Sequence, residues 1–170
     1  LARPAPPINP CSGVCVRLTV ATSEPSVANA FRRARFLGEP LAVPRISDLD
    51  ALASSTSGKI EIESMDDGRD EHVVEKLIKS AVLTVFKERC PIEQFRDVPA
   101  NFEGGTVVHA GDDVPASAYA DVVKAVPTLA APARELAGSE DPPAIASAIE
   151  FILEGLHLSK RLNKDSAGGK

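Results

Sequence analysis

The chain has 170 residues, of which 44% are hydrophobic and 25% charged, with a formal net charge of −5. This is the balance of a globular chain with one domain, or a small domain and an extension, and its acidity excludes a general electrostatic affinity for nucleic acid. No apolar run approaches the roughly 20 residues of a membrane span, and the N-terminus lacks the basic-then-apolar order of a signal peptide. Aromatic residues make up only 4% and Trp is absent, so Ala, Val, Leu and Ile must build most of the core. The cysteines Cys11, Cys15 and Cys90 are few and odd in number, which predicts a reduced, cytoplasmic chain and not a disulfide scaffold. Leu1, and Lys170 after Gly168-Gly169, read as cuts through a longer protein.

Residues 1–10 carry four prolines and predict an extended lead-in. Val14 to Val20 fits a short strand or the first turns of a helix equally well. Ser23-Glu24-Pro25 predicts a helix start, with Pro in the first turn, and the helix is expected to reach Leu37 and stop at Gly38-Glu39-Pro40. Ser47 is expected to cap a second helix, Asp48 to Ala53. Lys59 to Ser64 alternates charged and apolar residues, as a half-buried strand does. Asp70 to Arg89 is the clearest helix, with Val74, Leu77, Ile78, Val82, Val85 and Phe86 at helical spacing and Pro91 as its stop. A shorter helix over Ile92–Phe102, disturbed by Pro99, leads to a turn at Gly104-Gly105. Thr106 to His109 is expected to be a second strand pairing with the first. Helices are expected over Pro115–Val126, Leu129–Leu136 and Ala144–Leu162. The fold class is therefore mainly α with a small two-stranded β element.

Few residues group into a recognisable chemical device. Cys11 and Cys15 form C-x3-C, short of the four ligands that zinc requires. The carboxylates Glu61, Glu63, Asp66, Asp67, Asp70 and Glu71 read as a solvated acidic turn, since their spacing is not that of a calcium loop. His72, His109 and His157 are scattered, and no G-x-S-x-G is present, so a hydrolase would need tertiary proximity between one of them and a nucleophile. The glycine-rich loop with Lys that cradles nucleotide phosphates is also absent, as is an apolar strand ending in Asp-Glu. The remaining chemistry-bearing feature is basic. Arg17, Arg32, Arg33 and Arg35 concentrate on and before one helix, and Arg is suited to bidentate phosphate contact.

The stretch SGVCVRLTVATSEPSVANAFRRARFLGEPLAVPRISDLDAL resembles the lid region of a bacterial AAA+ ATPase family, the magnesium chelatase subunit I-like proteins related to MoxR. The resemblance continues through SGKIEIES, VVEKLIKSAVLTVFKERCP, FEGGTVVHAGDDVPASAY and AIASAIEFILEGLHLSKRLNK, covering nearly the whole chain. It departs from the pattern at Cys11 and Cys15, where relatives more usually carry Arg and Ser. It implies a lid-like helical subdomain over residues 1–57 and a C-terminal helical domain over 58–170. It implies further that the Walker motifs, with ATP and Mg²⁺, belong to an N-terminal part of a parent ATPase outside this chain. The parent would form a homo-oligomeric ring in the cytoplasm and remodel a protein target, with neither nucleic acid nor membrane as partner. Arg17 is the first candidate for the arginine that senses nucleotide phosphates, and Arg33 the second. No catalytic or metal-binding residue is implied for this chain. The contrasting expectation is a helical interaction or adaptor module without ATP chemistry.

Overall fold

The computed structural model describes residues 14–49, 52 and 70–165, with side chains from Ser23 onward in the first helix and from Val74 in the second. Six α-helices have their bounds among the described residues: α1 (Val14–Leu37), α2 (Asp70–Arg89), α3 (Ala100–Glu103), α4 (Tyr119–Ala125), α5 (Ala130–Ala137) and α6 (Pro142–Leu158). Short 3₁₀ turns at Ile46–Leu49, Ile92–Phe95, Ala116–Ala118 and Pro127–Leu129 link them. The described part is mainly helical, and no strand occurs among the described residues.

Helix α6 is the axis of the core. Ala146, Ile149, Ile152 and Leu156 are fully buried on it, and Ala148, Glu150 and Gly155 are buried as well. A helix buried on more than one face is surrounded by neighbours. Here α2, α4 and α5 pack around it together with the turns at Ile46–Leu49 and Ala116–Ala118. Phe86 of α2 meets Phe95 at 5.8 Å and Phe151 of α6 at 5.9 Å between ring centroids. Gly155 makes this approach possible, since a Cβ there would lie 2.2 Å from Phe86 Cδ2. Val98, Tyr119, Val126, Leu129 and Ala133 complete the core.

The helix ends follow local chemistry. Gly38, at φ +69°, turns the chain after α1, and the Glu39 N–H reaches back to the Ala34 carbonyl at 2.8 Å. Pro142 and Pro143 occupy the first turn of α6, where an N–H has no intrahelical partner. At its other end Lys160 takes a left-handed φ of 58° while its N–H and that of Arg161 bond to the carbonyls of His157 and Leu156. That is the hydrogen-bond pattern of a glycine-type cap, made by lysine.

Five expectations change. The helix does not begin at Ser23: α1 starts at Val14 and runs through Pro25. A proline removes one intrahelical bond and crowds one carbonyl, so a helix continues past it where the residues ahead stay helical. Of the expected helix Asp48–Ala53, Asp48 and Leu49 belong to a 3₁₀ turn at Ile46–Leu49 and Leu52 is helical; the Ser47 hydroxyl goes to Glu150 and not to a cap, while Asp48 accepts the Arg45 N–H at the start of the turn. The single helix expected over Ile92–Phe102 is two short pieces, Ile92–Phe95 and α3, divided just before Pro99-Ala100. Thr106–His109 is irregular in place of a strand; its expected partner, Lys59–Ser64, lies outside the described residues. The expected last helix begins two residues earlier and ends four earlier than Ala144–Leu162. Among the described residues, no helix is long and apolar enough to cross a membrane.

Candidate functional site

The densest polar constellation is a buried ion-pair network where α1, the segment after it and α6 converge. It starts on the inward face of α1, where Ala30, Arg33 and Ala34 share one side of the helix and are all buried. Arg33 donates from Nε to Asp48 Oδ1 at 3.2 Å and from Nη2 to Asp48 Oδ2 at 2.9 Å. The same guanidinium reaches Glu39 Oε2 at 3.0 Å and the Val43 carbonyl at 2.7 Å. The cap at Gly38 delivers Glu39 to this position. Its Oε1 then accepts from Arg45 Nη2 at 2.6 Å and from the Ala116 N–H at 2.8 Å.

Arg45 carries the network toward the core. It donates to the Val114 carbonyl at 2.7 Å, stands 3.7 Å from Glu150 Oε1, and lies 5.2 Å above the Tyr119 ring. Glu150 projects from α6 and accepts the Tyr119 hydroxyl on Oε1. On Oε2 it accepts the Ser47 N–H at 3.2 Å and the Ser47 hydroxyl at 3.0 Å. The side chains of Arg33, Arg45, Glu39, Asp48 and Glu150 each keep 5% or less of their exposure, so this is a desolvated network and not a surface decoration.

Two arginines face three carboxylates, and burial is the largest influence on the network groups whose titration shifts. Burial drives the Glu150 carboxyl above its ordinary range, while bonds from Tyr119 and Ser47 and the charge of Arg45 pull it partly back. The Tyr119 hydroxyl is driven far up, first by burial and then by the negative Glu150, so it remains a donor. For Arg33, burial opposes the charge, but Asp48, Glu39 and Glu150 outweigh it and raise the guanidinium further. Arg45 Nε is buried without a hydrogen bond. The arrangement holds charge and geometry tightly. It leaves Arg33 turned toward its own chain.

The other sequence-derived residues are dispersed. Arg17 and Cys15 lie on α1 with side chains outside the described residues, as does all of Cys11. Cys90 is buried and unpaired, and burial raises its thiol. Glu61, Glu63, Asp66 and Asp67 lie outside the described residues; Asp70 opens α2. His109 and His157 line an open groove of about 1180 Å³ between α2, α6 and residues 105–112. His157 donates through Nδ1 to the Leu162 carbonyl at 3.2 Å. Neither of these histidines hydrogen-bonds a Ser or Cys among the described residues, and no group of three potential metal ligands forms among them. The side chain of His72 is outside the described residues.

Sequence reasoning passed over Glu39, Arg45 and Glu150. A signal existed for the last: Glu150 is the one charged residue within AIASAIEFIL, and a lone carboxylate in an apolar helix needs a buried partner. No family model, curated protein or solved structure matches the chain.

Proposed function

We propose that the chain is the lid and C-terminal helical region of an AAA+ remodelling ATPase, a non-catalytic element that carries movement from a nucleotide-binding part to a partner. The sequence resemblance to magnesium chelatase subunit I-like proteins supplies the family. The carrying observation in the structure is the relay Arg33–Glu39–Arg45–Glu150, which ties α1 to the central helix α6 through buried charges. A helix held that way transmits displacement, because breaking one buried pair strands another charge. ATP and Mg²⁺ would bind the Walker motifs of the parent, and the ring would assemble there. In this reading Arg33 serves the relay, and Arg17 is the residue of this chain directed at nucleotide.

The test has two parts. The open reading frame upstream of Leu1 should continue into a Walker A sequence; an initiator Met close to Leu1 overturns the motor and leaves the adaptor reading. In the full-length protein, Arg17→Ala should lower ATP turnover or nucleotide affinity, and unchanged values for both remove Arg17 from the site.

A further inference from the structure

We draw no further inference here: the strongest candidate, the open groove of about 1180 Å³ between α2, α6 and residues 105–112, is lined by Lys79, Arg161 and Lys164 alongside Glu75, Glu103 and Asp112, and nothing in the structure shows what covers it.

Discussion

Arg45 sits between three residues that would lose a partner without it: Glu39, Glu150 and Tyr119. Replacing it by methionine keeps much of the volume and removes the charge, leaving three buried carboxylates against Arg33 alone. Such a break is worth about 3–5 kcal/mol. Urea unfolding of Arg45→Met should show that loss, while Lys124→Ala, at an exposed pair with Asp121, should leave the midpoint almost unchanged. Glu150 predicts a pH effect. Its folded pKa lies above the ordinary 4.5, chiefly through burial. The native state therefore holds this proton more tightly than the unfolded chain. The contribution is full below the unfolded pKa and declines as pH rises toward the folded one. Glu150→Gln removes this titration, so its stability relative to the natural protein should shift in its favour between pH 4 and pH 7. Unfolding free energies measured across that range, and found parallel, would contradict the assignment. The sequence drew attention to Arg33 as one of a basic cluster, yet its task depends on Glu39 and Asp48. Neither spacing nor composition shows that a cap at Gly38 swings Glu39 under the helix, or that Arg45 will be buried 69 positions from the Val114 carbonyl it binds.

Helix α2 was legible to the residue, because Val74, Ile78, Val82 and Phe86 keep helical spacing and Pro91 follows soon after Arg89. The start of α1 was not, since Ser23-Glu24-Pro25 carries the punctuation of a first turn while Pro25 stands inside the helix. Ser47 failed as a cap for a different reason: its hydroxyl is claimed by Glu150, 103 residues away. The packing of α2 on α6 tests how tightly elements fit. Alanine is the better helix former, by about 1 kcal/mol over glycine. Even so, Gly155→Ala should destabilise by about 1–3 kcal/mol, because its Cβ overlaps the Phe86 ring. Phe86→Leu should recover part of that loss in the double variant, as read by a thermodynamic cycle. At the end of α6, Lys160→Gly relieves a left-handed lysine within an existing cap, and a gain of about 1 kcal/mol is expected from thermal or urea unfolding.

At the scale of the molecule, the buried relay crosses the boundary that the sequence places near residue 57. Glu39 and Arg45 bind Ala116, Val114 and Glu150, so the segment after α1 is fastened to the helical core. The helical class was readable from apolar periodicity, whereas this fastening was not, since it is made by charged residues far apart in sequence. The central claim is that α1 and α6 behave as one cooperative body joined by these charges. Native-state hydrogen exchange of the natural chain and of Arg45→Met tests it most directly. Amides of Ala30–Leu37 should open with nearly the same free energy as those of Ile149–Leu156 in the natural chain, and Arg45→Met should drop the α1 group well below the α6 group. If the α1 amides already exchange orders of magnitude faster than those of α6, and Arg45→Met leaves that gap unchanged, the account is contradicted.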